Sequence, residues 1–358
     1  MMGTRTSPDP AAQAPRPAAG ATAPLGPEAD LVTLLREEMR RLPALSDEAS
    51  GIADAALHAL LPGGKLLRPL LLVHSAAAVG GDTARVLPAA AGLESAHVGS
   101  LVHDDLIDHD DVRRNRAATH RRFGPATAIV TGNALYFTWF EALASCGQRG
   151  VPHQRIVEAM QIQAQAGRQV CDGAAREIAM AGRLETPVDA YLEMARLKTA
   201  VLTAAACRIG AVLAGASPAL AATLTSYGEA LGMAFQIRDD LLPYTDDPVA
   251  AGKPADSDLR NLRPTLPVLQ ARDRATAAQQ AALRDAFAAL PRSDAHARVR
   301  ELVQETGALS EAGRLARANA ARALSHLDRL PVSDHRERLE DLAHRALSAG
   351  QRGRATGR

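Results

Sequence analysis

Residues 94–114 read ESAHVGSLVHDDLIDHDDVRR, and this stretch decides the fold. Its first half is small and apolar, and its second half is crowded with carboxylates. The pattern predicts a long helix from residue 84 to about residue 111, with Asp104, Asp108 and Asp111 at i, i+4 and i+7 on one stripe. Like charges so placed each destabilise an isolated helix by about 0.2–0.5 kcal/mol, and Asp is a mediocre helix former. Such a stack calls for cations, and Mg²⁺ is commonly held by a few carboxylates together with substrate phosphates. Taken alone the stripe is equally well a solvated helix end. Its flanks, Leu101-Val102 and Leu106-Ile107, instead put the carboxylates at the end of a buried helix.

A second acidic pair, remote in the chain, closes FQIRDD at residues 235–240. It too sits near the C-terminus of an apolar helix, read over residues 223–242 and stopped by Pro243. Helix C-termini are the negative end of the dipole, so carboxylates there are doubly disfavoured without a cation. Two such pairs predict two helix ends facing one cavity and sharing metal. Basic groups answer them. GGKLLRP, residues 63–69, joins flexible glycines to Lys65 and Arg68, and Arg113-Arg114 follow the first stripe directly. Lys198 interrupts an apolar helix, where it either snorkels or reaches a buried anion. Lys253 lies in a loop after the second pair, placed to close over phosphates.

The remainder agrees with an all-α fold. Hydrophobic residues make up 47% and aromatics only 3%, so the apolar content is chiefly Ala, Leu and Val, and Ala and Leu favour helices. Stretches 28–42, 47–61 and 188–214 read as further helices, without strand-like alternation or hairpin signals. Thr186-Pro187 and Ser217-Pro218 each offer a capping hydroxyl before a Pro at the first helical position. The expected organisation is an N-terminal arm over 1–27 without periodicity, one helical domain over 28–347 and a basic tail over 348–358. A net charge of +1 gives no reason to expect nucleic acid as a partner. No transmembrane segment or signal peptide is expected. Three scattered cysteines, Cys146, Cys171 and Cys207, are expected to be buried thiols in a reducing cytoplasm.

Together these motifs resemble the trans-isoprenyl (polyprenyl) diphosphate synthases, in order and spacing over roughly residues 61–267. The first acidic run and FQIRDD resemble that family's two aspartate-rich regions. GGKLLRP resembles its homoallylic-substrate loop, LKTA its allylic-side lysine, and GKPADSDL its closing loop. The resemblance implies an isoprenoid synthase fold, a bundle of long antiparallel helices around a central apolar cavity, assembled as a homodimer. It implies a Mg²⁺-dependent prenyltransferase condensing isopentenyl diphosphate with an allylic diphosphate. Asp104, Asp108 and Asp239 would hold three Mg²⁺ ions, supported by Asp105 and Asp240. Arg113, Lys198, Thr199, Gln236 and Lys253 would grip the allylic diphosphate. Gly64, Lys65, Arg68, His97 and Arg114 would bind isopentenyl diphosphate.

Departures from the family pattern are Pro243 in place of a third Asp, Asn133 for a common Asp, Ala174 for a common Glu, and Arg263 for a loop Lys. Pro243 lacks an N–H, which predicts an Asp239 carbonyl without its helical partner. The product is expected to grow along the helix upstream of Asp104, past the small residues Ser100, Gly99 and Ala96. In this family an aromatic near the fifth position before the motif stops growth early. Gly99 stands there, so twenty carbons (geranylgeranyl) or longer are expected, with Tyr136, Phe137, Trp139 and Phe140 as candidates for a deeper floor. The alternatives are a terpene cyclase, which would want a different second metal motif, and a non-catalytic partner of another synthase, which would have no need to keep these charged residues.

Overall fold

A computed structural model describes residues 27–42, 51–61, 63–244 and 257–348; Lys253, like most of the N-terminal arm and C-terminal tail, lies outside them. The described chain runs through α1 (Pro27–Arg41), α2 (Ile52–Leu60), α3 (Leu67–Ala78) and α4 (Thr83–Ile107) into a minimal hairpin, β1 (Val112–Arg113) and β2 (Arg116–Ala117). Then follow α5 (Thr119–Phe123), α6 (Pro125–Ser145), α7 (His153–Met180), α8 (Val188–Ala195), α9 (Val201–Ala214) and α10 (Pro218–Leu241). The C-terminal part comprises α11 (Ser257–Arg260), α12 (Leu266–Arg274), α13 (Ala277–Ala288), α14 (Ser293–Glu305), α15 (Ala308–Leu327) and α16 (Asp334–Ser348).

The long helices form because Ala- and Leu-rich stretches are stopped by defined caps. Ser217 accepts the Leu220 N–H at 3.3 Å ahead of Pro218, as the sequence predicts. Thr186 behaves differently: its hydroxyl donates to the Arg183 carbonyl and closes the preceding turn, so Pro187 is the residue that caps α8. α8 runs into α9 through one wide π-turn at Arg196–Ala200. Turns of that kind occur frequently at functional sites, and this one carries Lys198 and Thr199.

Buried residues of α3, α4, α6, α9 and α10 make the main core, with α16 against it. α4 lies along α6, α3 along α9, and α10 between α9 and α15. Short connections at 79–82 and 215–217 make α3/α4 and α9/α10 antiparallel neighbours. Small residues let the backbones meet: a Cβ built on Gly99 would lie 2.8 Å from the Gly132 carbonyl of α6. The helix Val188–Ala214 is long and apolar enough to cross a membrane, but 78% of its most apolar window is buried among its neighbours. Cys146 and Cys207 are buried as expected, whereas Cys171 is exposed.

Two local expectations change. α4 stops at Ile107, and Asp108 caps it through its N–H to the Asp104 carbonyl. His109 then turns left-handed at φ 54°, so Asp111 leaves the stripe. The hairpin that follows was not expected. Its two turn residues, Arg114 and Asn115, both have positive φ (52° and 59°), the tight-turn geometry that joins two-residue hairpins.

Candidate active site

The turn after α4 directs two adjacent arginines to two different buried acids. The Arg113 Nε donates to Asp105 Oδ1 at 2.7 Å. Asp105 is nearly fully buried, and burial pushes its carboxyl up to about 6 although Arg113 pulls the other way. Arg114 reaches Glu94, also buried, at 3.5 Å. Burial raises the Glu94 pKa, while Arg114 and Arg68 oppose the rise. Arg68 donates from Nη1 to His97 Nε2 at 3.0 Å. Burial, reinforced by Arg68, Arg114 and Arg113, holds His97 well below the usual imidazole range. A neutral ring that accepts at Nε2 carries its proton on Nδ1. Gly64 completes the group in an unforeseen way. A Cβ there would lie 2.6 Å from the Arg114 guanidinium, so the glycine makes room for a cation of the protein itself. Gly64, Arg68, His97 and Arg114 therefore converge above Glu94, while Lys65 is exposed.

The acids at the end of α4 face the π-turn. Lys198 Nζ lies 3.9 Å from Asp104 and also pairs with Glu177 of α7. Burial works to lower the Lys198 pKa, but Glu177 and Asp104 prevail and raise it. The lysine thus reaches two half-buried anions rather than snorkelling. Arg263 holds Asp108 through both terminal nitrogens and lies 3.2 Å from Glu177. Beyond the helix, Asp110 accepts from Ser257 at 3.0 Å and Arg260 at 2.7 Å, which fixes α11 over the turn.

The end of α10 joins the same face through side chains. Thr199 donates to Gln236 Oε1 at 2.7 Å, and Gln236 Nε2 donates to Asp240 Oδ1 at 2.9 Å. Tyr191 donates to the other Asp240 oxygen. Burial pushes the Asp240 carboxyl up to about 8, with both donors pulling it down. Asp239 keeps 37% of its side-chain surface exposed beside Arg238, and its charge reaches Arg68. A continuous path of polar contacts thus runs from Asp104 through the Lys198–Thr199 turn to Asp240. The Asp239 carbonyl is not orphaned as the sequence suggests. The chain tightens, and the Leu242 N–H takes that carbonyl instead of the N–H that Pro243 lacks.

These contacts bear on the metal expectation. Among the described residues no group of three or more His, Cys, Asp or Glu side chains stands ready for a metal ion. Asp108, expected as a ligand, is occupied by Arg263. The donors nevertheless fit Mg²⁺, because they are hard carboxylate oxygens and the ion commonly takes only one or two from the protein. Asp104, with 24% of its side-chain surface exposed, and Asp239 retain open edges.

Ser100 and Ala96 lie one and two turns before Asp104 on its own face of α4. The Ser100 hydroxyl donates to the His97 carbonyl at 2.7 Å, and beside it stands Tyr136 of α6, whose pKa burial, Cys171 and Asp104 push up to about 12. Gly99 does not share that face, because it is pressed against the α6 backbone. Trp139 is in the core, and Phe137 and Phe140 point outward. Sequence reading missed Glu94, Glu177 and Tyr191. A lone acid in an Ala-rich run was a usable signal for Glu94. Nothing marked Glu177 from its surroundings, although it stands one turn beyond the Ala174 that lacks the expected carboxylate.

Residues 50–306 match the polyprenyl synthetase family. The chain belongs to that family. This polyprenyl synthetase is 36% identical over 285 residues to the geranylfarnesyl diphosphate synthase of Aeropyrum pernix, covering 79% of this chain and 89% of the relative. It is 38% identical over 239 residues to the geranylgeranyl diphosphate synthase of Methanosarcina mazei, covering 62% and 73%. The solved polyprenyl synthase of Caulobacter crescentus, complexed with calcium and isoprenyl diphosphate, superposes with a TM-score of 0.80 at 32% identity over 91% of this chain and 94% of that one. The polyprenyl synthetase is accordingly a trans-prenyltransferase with the isoprenoid synthase fold. Its family joins isopentenyl diphosphate to allylic diphosphates with the help of Mg²⁺.

Proposed function

We propose that this chain extends an allylic diphosphate with isopentenyl diphosphate to an all-trans product of twenty carbons or more. The observation that carries the reading is the join between the two acidic helix ends: Asp104 faces Lys198, and the next residue, Thr199, is linked through Gln236 to Asp240. Asp104, Asp108 and Asp239 would hold Mg²⁺, three ions in all, and the bound ions would neutralise the departing diphosphate. Asp108 would first exchange Arg263 for metal. Lys198, Thr199, Gln236 and Arg113 orient the allylic diphosphate, with Lys253 expected to join from outside the described residues. Arg113 also holds Asp105 in place.

Isopentenyl diphosphate sits against Gly64, Arg68, His97 and Arg114, with Lys65 at the rim. Neutral His97 positions Arg68 without adding a competing charge. Preorganised donors of this kind stabilise charge as it develops and need no rearrangement at the moment of reaction. The Ala- and Leu-rich walls keep water from the allylic cation. The growing chain passes Ser100 and Ala96, and Tyr136 is the first side chain to limit it. The active form is a homodimer in the cytoplasm. Its support is the outward face of α6, where Val130, Phe137 and Phe140 follow at helical spacing and leave large apolar surface exposed.

Incubation with isopentenyl diphosphate, each allylic primer and Mg²⁺, followed by chromatography of the dephosphorylated products, tests the reading. Linear alcohols of twenty carbons or more are expected, and their absence with every primer would refute it.

A further inference from the structure

A cavity of about 760 Å³ opens between the end of α7, the 181–187 turn and α13, with none of the aspartates of the two acidic helix ends on its lining. Its wall is apolar, with Met180, Leu184, Phe287 and Leu290 among the lining groups. Three guanidiniums, those of Arg176, Arg183 and Arg284, stand around it without a hydrogen bond or ion pair to any described residue. Glu185 is the one carboxylate on the lining. The turn that frames the cavity is fixed, since Arg272 Nη1 donates to the carbonyls of Leu184 at 2.6 Å and Thr186 at 2.7 Å.

Beside the Arg196 hydrogen bond that chiefly lowers the Glu193 pKa, Arg176 lowers it further at longer range, but Arg183 and Arg284 have no such partner among the described residues. Arginines at the mouth of a greasy hollow ask for an anion with an apolar tail, because guanidinium forks match phosphate oxygens. The volume falls in the range of small-molecule sites. We propose that this cavity is a second binding site for a prenyl diphosphate, separate from the catalytic mouth. The ligand's identity rests on the synthase reading, since a prenyl diphosphate is the amphiphile such an enzyme releases.

The cavity also adjoins the catalytic contacts. Leu262 lines it, adopts a left-handed φ of 54°, and accepts the Gly182 N–H at 2.8 Å. The next residue is Arg263, which holds Asp108 and Glu177, and Glu177 itself follows the lining residue Arg176. A bound diphosphate that draws on Arg176 or shifts Leu262 acts one residue away from both groups. Occupation therefore lowers turnover without competing for the allylic site.

The test is calorimetric titration of the full chain with geranylgeranyl diphosphate in Mg²⁺, comparing wild type with an Arg183→Gln/Arg284→Gln variant. Wild type should show a second site beside the catalytic one. The variant should bind there roughly tenfold more weakly for each guanidinium removed, and should lose non-competitive product inhibition while keeping its elongation rate at low product. A single site in wild type, or unchanged binding and inhibition in the variant, overturns the proposal. Inorganic diphosphate binding as tightly as the prenyl compound at the second site would overturn the assignment to an amphiphile. Failure of wild type to elongate any primer would count against the synthase reading instead, and the two failures are read from separate measurements.

Discussion

Gly99 offers a sharp test of how α4 meets α6. In sequence it stands where an aromatic residue would block a growing chain, so Gly99→Phe should shorten the product. The structure gives a different outcome. A Cβ at Gly99 would lie 2.8 Å from the Gly132 carbonyl and 3.2 Å from Leu135 Cβ. The nearest atom belongs to the α6 backbone and cannot rotate away. Gly99→Ala gains about 1 kcal/mol of helix propensity and loses about 1–3 kcal/mol to overpacking. Because the obstacle is main chain, the loss prevails, by up to about 2 kcal/mol. At about 2.1 cal/mol/K of unfolding entropy per residue, a chain of 358 residues should melt lower by up to about 3 °C. Gly99→Phe lies at the upper end of that loss or beyond it, and should yield unstable protein. The assay is thermal unfolding of wild type and both variants beside product chromatography. A Gly99→Phe enzyme that melts with wild type and makes a cleanly shortened product would refute the packing argument.

Other outcomes follow from the same geometry. Tyr136→Ala removes the ring that closes on Ser100 and should lengthen the product chains, and an unchanged distribution would move the floor elsewhere. Lys198→Ala should lower kcat/KM for the allylic primer by about 10²–10³-fold while leaving the KM for isopentenyl diphosphate nearly constant. Arg68→Ala should show the opposite split, and matching profiles would argue against two distinct subsites. Asp105 has a folded pKa of about 6, above its ordinary value of 3.8. Its protonated form is favoured in the folded state, so its stabilising contribution is full below about pH 4 and is lost as pH rises to about 6. Asp105→Asn should remove that component from the pH dependence of urea unfolding, and identical slopes for variant and wild type would show that Asp105 titrates normally.

Much of the bundle was legible because Ala- and Leu-rich runs with clear stops leave few alternatives to helix. α10 starts at Pro218 on the expected Ser217 cap, five residues ahead of residue 223, where the sequence pattern sets its start, and ends ahead of Pro243. The hairpin after α4 was not legible, since the usual signal is a glycine and here Arg114-Asn115 takes the left-handed turn. The clustering of Gly64, Arg68, His97 and Arg114 could be expected from resemblance, but the buried Glu94 that gathers them could not. Pairing across remote helices also hides Glu177, whose neighbours Ala175 and Arg176 resemble any wet helix surface. Gly99 misleads for a related reason: a small residue in sequence does not say whether it opens a tunnel or admits a neighbouring backbone.

The case for metal changes its footing once the folded contacts are known. In sequence the argument was charge density: so many carboxylates at helix ends require cations. The fold supplies cations from the chain, since Asp104 faces Lys198, Asp105 Arg113, Asp108 Arg263, Asp110 Arg260 and Asp239 Arg238. Charge balance alone therefore no longer demands Mg²⁺. What remains is a division of labour within each aspartate pair. Asp105 and Asp240 are buried, held by fixed donors, and raised in pKa by burial. Asp104 and Asp239 keep open edges on either side of the Lys198–Gln236 bridge. A buried acid with raised pKa and satisfied oxygens is a poor ligand, because it must be deprotonated and freed before it can bind. The exposed member of each pair carries no such penalty. The metal reading thus rests on which aspartate of each pair is turned outward, a distinction that two identical adjacent letters could not make.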